Sequence, residues 1–334
     1  MSAEITPFGK TAQGTQVHAI TLASDALRVT LLTWGAVIQD VRLTGVAQPL
    51  TLGTADLAAY AGAMNSFGAL MGPVVNRIKG AAAPIAGQRH AFEANLDGAH
   101  TKHGGSHGPQ YRVWHLLESS PTHALLETVL QDGLSGFPGN RTLRAEYRVN
   151  GADLDLVVIG TTDAPTLMNI ANHSYWNLDG SDSIAGHTLQ IAADRVTVNG
   201  DDLMVTGEVM AVAGTRFDFR RPRAFDPGPE NRFDLNYVLA DAKRPLSHAC
   251  TLTGTSGVQM EMSTTEPGLQ VFDLGTFTTA PHPGHAGAPY LRFAAIALEA
   301  QGWPDAANHA GFPPIEIGPD HPYHQHTRWR FRRP

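Results

Sequence analysis

Apolar and polar residues alternate at a period of two through much of the 334-residue chain, the mark of strands with one buried face. The clearest case is TLRAEYRVNGADLDLVV (142–158), where Leu143, Ala145, Tyr147 and Val149 alternate with Arg144, Glu146 and Arg148. Asn150-Gly151 supplies turn chemistry, and Leu154 and Leu156 resume the alternation, so the stretch predicts a hairpin. Further strands are expected in 27–43, 123–130, 187–198 and the closing HTRWRF. Helical spacing is scarce; TADLAAYAG (54–62) predicts about one or two turns. No long linker, low-complexity block or repeat interrupts the pattern, and the Gly/Pro-rich pieces at 133–140 and 280–289 read as loops. The expectation is an all-β fold: a single large antiparallel β-sandwich spanning 1–334.

Composition sharpens this. Hydrophobic residues make up 42% of the chain and charged residues 16%, with 34 glycines and 22 prolines, which favours turns and a large apolar interior over charged helices. A net charge of −7 argues against nucleic acid as a partner, because phosphate binding needs a basic surface. The one basic run, RWRFRRP (328–334), reads as a solvated tail after the last strand. Cys250 is the single cysteine, which fits a reducing, cytoplasmic setting. The N-terminus lacks the basic-then-apolar order of a signal peptide, and no apolar run approaches the ~20 residues that span a bilayer.

Nucleotide-binding glycine motifs and the H-E-x-x-H zinc helix are missing from the sequence. His324 and His326 share a strand face in YHQHTRW without an evident third ligand, so no metal or other cofactor is expected. What remains is an acid and scattered polar groups. Glu299 is the lone acid in RFAAIALEAQGW (292–303), sharing a strand face with Phe293, Ala295 and Ala297. Apolar surroundings raise a carboxyl pKa toward the range of a general base, while a strand-end glutamate paired to an arginine fits the same residues. His173, in NHSYWNL (172–178), reads either as a structural hydrogen-bonder or as a catalyst. Its neighbours Asn169, Asn172 and Asn177 suit a polyhydroxylated ligand. His103 stands before two glycines in TKHGG, and Asn76-Arg77 end a turn in GPVVNRIKG.

In order along the chain, G-x-x-x-N-R-I, H-G-G, N-H-S-Y-W-N-L, D-L-N and L-E-A-Q-G-W-P-D-A-A-N closely resemble the aldose 1-epimerase (galactose mutarotase) family. The resemblance implies one antiparallel β-sandwich with an open sugar-binding cleft, and interconversion of the α and β anomers of a free aldose. It also implies Glu299 as base and His173 as acid, on opposite sides of the sugar. Asn76, Arg77, His103, Tyr175, Asp234 and Gln270 would then contact the monosaccharide substrate. Two positions depart from the family pattern: Gly72-Pro73 replaces a frequent Gly-Arg, and Asp234-Leu235-Asn236 replaces a common Asp-His-Asn.

Three other readings remain open. A hexose-6-phosphate epimerase would need more cations. A non-catalytic sugar-binding protein would rely on aromatic platforms such as Trp176, Phe272 and Trp303. A glycoside hydrolase or lyase would use two acids. With Lys79 and Lys102 read as solvated loop residues, neutral aldoses are expected to outpace their 6-phosphates by at least about tenfold in kcat/KM.

Overall fold

A computed structural model of the chain describes residues 3–275 and 278–334. Three antiparallel sheets dominate it. The first is a meander of Glu4–Lys10, Gln16–Ala23, Leu27–Leu32 and Ile38–Leu43. The second has nine strands, and its centre runs Arg141–Asn150, Asp153–Thr162, Tyr323–Arg332, Gln259–Thr264, Ser247–Thr253. The third has six, in the order Tyr175–Trp176, Ile296–Gln301, Gly268–Phe272, Asp234–Val238, Arg195–Asn199, Val205–Ala211. This is the expected antiparallel sandwich.

The period-two stretches fold as read, with informative shifts. Asn150 pairs with Asp153, so the hairpin turns on Gly151-Ala152, one residue later than expected. Gly151 takes the positive φ of 56° that a two-residue hairpin turn asks of its first position. The stretch 27–43 breaks into two strands around Gly35 and Ala36, and 187–198 divides between the nine- and six-stranded sheets. The helical stretch gives one turn, Leu57–Ala61, capped by Asp56 accepting from the Ala58 N–H at 2.9 Å. Phe293 precedes the Ile296–Gln301 strand and so does not share its face with Glu299. The basic run is no free tail: Arg328 and Arg330 lie within the last strand and pair with Asp155 (2.8 Å) and Asp153 (2.7 Å) on the neighbouring strand.

Alternation decides which side chains meet between the sheets. Leu143, Ala145, Tyr147 and Val149 all turn inward. Trp176 of the six-stranded sheet packs against Trp329 and Phe331 of the nine-stranded one, ring centres 5.9 and 5.7 Å apart. Removing such a ring from a core costs about 3–5 kcal/mol. With this seam fixed, the opposite face of the six-stranded sheet is free to carry polar side chains. The described residues include no helix long and apolar enough to cross a membrane.

Candidate active site

A cleft of about 210 Å³ opens over that face, lined by Asn76, Arg77, His103, His173, Tyr175, Asp234, Gln270 and Glu299. Every site residue expected from the sequence therefore lies in one cavity. Ala63, Asn65, Ser66, Lys102 and Phe272 complete its wall. The 63–66 turn carries no recognisable motif. Lys102 was legible only as the neighbour of His103, and the structure corrects its reading as a solvated loop residue. Lys79 does lie outward, about half exposed and 3.6 Å from Asp202.

Glu299 sits at the middle of the Ile296–Gln301 strand, opposite Gln270 in the register. Directly opposed residues share a face, so both reach the cleft. Gln270 donates to Asp234 Oδ1 at 2.6 Å, and Arg77 Nη2 closes on Asp234 Oδ2 at 3.0 Å. Arg77 and Asp234 thus form a locked wall. Leu235 turns the other way, into the core, so its departure from the family pattern does not face the cleft.

His173 owes its direction to a break in the chain. NHSYWNL is not one strand: Ala171–Asn172 pairs with Leu70–Met71, whereas Tyr175–Trp176 pairs with Ile296 and Ala297. Between these short pairings the backbone bends at His173-Ser174 and presents the imidazole to the cleft. The surrounding amides hold that bend instead of binding ligand, contrary to the sequence reading. Asn172 Nδ2 donates to the Gly68 carbonyl (2.8 Å) and Asn177 Nδ2 to the Ala294 carbonyl (2.7 Å). Asn169 exchanges two hydrogen bonds with the backbone of Gly302.

The H-G-G glycines also serve packing. A Cβ on Gly104 (φ 75°) would sit 2.0 Å from the Gly72 carbonyl oxygen and 2.5 Å from Pro73 Cδ. Only glycine lets this loop lie on the Gly72-Pro73 turn. His103 Nδ1 accepts from the Asn76 N–H at 3.3 Å, which leaves Nε2 as the protonated nitrogen of a neutral ring. Burial, then the nearby Lys102, hold His103 well below the usual histidine pKa.

The central pair is Glu299 and His173. His173 Nε2 lies 3.5 Å from Glu299 Oε1, and both residues are buried. No sugar ring fits between groups this close, so the two stand side by side and not across the substrate as the resemblance implied. Burial, reinforced by Asp234, pushes the Glu299 carboxyl up to about 8. Burial draws His173 down to about 3. Both shifts disfavour the charged forms, so near neutral pH the empty site holds a carboxylic acid beside a neutral imidazole. Glu299 Oε2, His173 Nδ1 and Gln270 Oε1 are buried without a hydrogen-bond partner among the described residues. Each such atom costs about 1–3 kcal/mol.

The histidines 324 and 326 lie elsewhere. His326 Nε2 meets Asp155 Oδ1 at 2.6 Å, and His324 faces outward. Of the three aromatic candidates, Trp176 and Trp303 are buried in packing and Phe272 alone lines the cleft.

The sequence profile of the aldose 1-epimerase family matches residues 18–330. Galactose mutarotase of Homo sapiens is 33% identical over 329 residues, covering 95% of this chain and 94% of its own. Aldose 1-epimerase of Escherichia coli K12 is 28% identical over 343 residues, covering 95% and 96%. A crystal structure of a GalM/aldose epimerase homologue from C. elegans superposes with a TM-score of 0.87 at 27% identity, covering 94% of this chain and 98% of that one. A β-sandwich of this topology, matched along almost its whole length, makes the chain a member of the aldose 1-epimerase family.

Proposed function

We propose that the protein interconverts the α and β anomers of a free aldose, with Glu299 and His173 as the proton-transfer pair. The observation that carries this is the convergence of Glu299, His173 and Gln270 on one ring-sized cleft, with the carboxyl and the imidazole 3.5 Å apart. From the tautomer with the shared proton on His173, Glu299 takes the proton of the anomeric hydroxyl as the bond from C1 to the ring oxygen breaks. The electron pair becomes the C1 carbonyl, and His173 delivers a proton to the departing ring oxygen. Rotation about C1–C2 and the reverse transfers close the ring on the other face. The two oxygens hang on one carbon, so a pair 3.5 Å apart reaches both from the same side. Each positioned acid or base is typically worth about 10²–10⁴-fold. Arg77, Asp234, Asn76, His103, Tyr175 and Gln270 hold the hydroxyls. A sugar sensor on aromatic platforms is disfavoured, because two of its three rings are core. A reducing, cytoplasmic location fits the buried, unpaired Cys250.

The pair works with one proton shared between its members, whichever carries it at rest. A second proton adds only as pH falls through about 3, and the last one leaves as pH rises through about 8. Between pH 5 and 7, kcat/KM for galactose is therefore expected to be nearly flat, and to fall above about pH 8. Polarimetry with buffer-catalysed exchange subtracted checks this. A steady rise through pH 9 would mean that Glu299 acts as a lone base, with no need of the shared proton.

The same chemistry needs no Lewis acid. Galactose exchange is expected to persist within about twofold after exhaustive chelation, on the general acid–base contributions alone. Loss on chelation with recovery by one divalent ion would replace the proposed mechanism.

A further inference from the structure

Lys102 is the charged member of the cleft wall that the proposed reaction leaves without a task. It stands directly opposite Arg77 in the antiparallel pair of Arg77–Ile78 with Thr101–Lys102, and both side chains line the cleft. Like charges directly opposed across a ladder are destabilising. Arg77 is compensated by Asp234 at 3.0 Å, but Lys102 makes no ion pair among the described residues. The backbone gives no structural reason for a lysine here: its N–H and carbonyl are already held by the Asn95 side chain at 2.7 and 3.0 Å.

We infer that Lys102 is a specificity determinant that receives the carboxylate of a uronic acid, an aldose whose C6 carries one negative charge. This rests on the acid–base reading above, because that reading places the sugar in the cleft that Lys102 lines. His103 packs edge-on against His173, ring centres 5.6 Å apart, and Lys102 is its chain neighbour. Lys102 thus lines the same cleft as the acid–base pair, within reach of a charge carried by the bound sugar. With Arg77 and Asp234 cancelling and Glu299 holding its proton, Lys102 also leaves the empty cleft with one uncompensated positive charge. One point charge suits a monocarboxylate. A phosphate dianion calls for paired forks, and the Arg77 fork is engaged by Asp234.

The experiment compares anomer exchange of galacturonate, galactose and glucose 6-phosphate by exchange NMR, in the wild type, Lys102→Met and Lys102→Arg. The quantity read is kcat/KM for galacturonate divided by that for galactose. It is expected to fall at least about tenfold in Lys102→Met, roughly 1.4 kcal/mol, and to stay within about threefold of wild type in Lys102→Arg. Raising salt should increase the KM for galacturonate more than that for galactose. Should Lys102→Met fail to fold, Lys102→Gln gives the same ratio. A ratio moved less than twofold overturns the inference. Glucose 6-phosphate turned over as well as galacturonate, and lost with it in Lys102→Met, would also overturn it by giving the lysine to phosphate. Failure of the wild type on galactose itself would instead sink the acid–base reading.

Discussion

Glu299→Gln is expected to keep the fold and to lower kcat for galactose anomer exchange at least about 100-fold. The amide fills nearly the same volume and cannot accept the anomeric proton. A second readout separates loss of chemistry from loss of structure. Glu299 is expected to titrate near 8 in the folded protein against an ordinary 4.5, so the native state retains a proton that the unfolded chain releases. The stability this proton confers is complete below about pH 4.5 and is lost as pH rises through about 8. Glutamine has no such titration. The variant should therefore melt at or above the wild-type temperature at pH 8, with a smaller gain at pH 5. An inactive variant that also melts several degrees lower at pH 8 would point to a structural glutamate. One that retains more than about a tenth of wild-type kcat would remove Glu299 from the reaction.

His173→Asn should lower kcat at least about 100-fold while changing KM for galactose less than about threefold. Proton delivery to the ring oxygen is an interaction of the transition state, so its loss falls on kcat. The imidazole also packs, with its ring centre 4.9 Å from Tyr175 and 6.5 Å from Phe272. Some loss of stability is thus expected beside the kinetic effect. If KM alone rose, His173 would be a binding group and the proton donor would have to be sought in His103. That ring is the less suited, because the Asn76 N–H engages its Nδ1.

The strands and cleft residues were largely legible in the sequence, for different reasons. Period-two alternation along 142–158 follows from burying one face of a sheet, and 123–130 forms a strand over the very residues it marks. The cleft was legible through order, as short polar motifs in a fixed succession. Geometry was not. Alternation does not place the side chains of NHSYWNL, because pairing partners change at His173-Ser174 and a strand period holds only while one partner persists. The asparagines around it signalled polarity without saying that backbone carbonyls would satisfy them. Lys102 was misjudged because exposure is a tertiary property: a lysine beside two glycines reads as loop until Arg77 is found across the ladder.

The place of Tyr323–Arg332 bears on how the molecule is made. This segment, formed from almost the last residues of the chain, lies between Asp153–Thr162 and Gln259–Thr264 in the interior of the nine-stranded sheet. A ribosome releases residues 153–162 and 259–264 well before their shared partner emerges. Until then each of those strands presents an unsatisfied backbone edge, the kind of template on which nascent chains aggregate. The sheet closes by late insertion of its central member, after most of the polypeptide has left the exit tunnel.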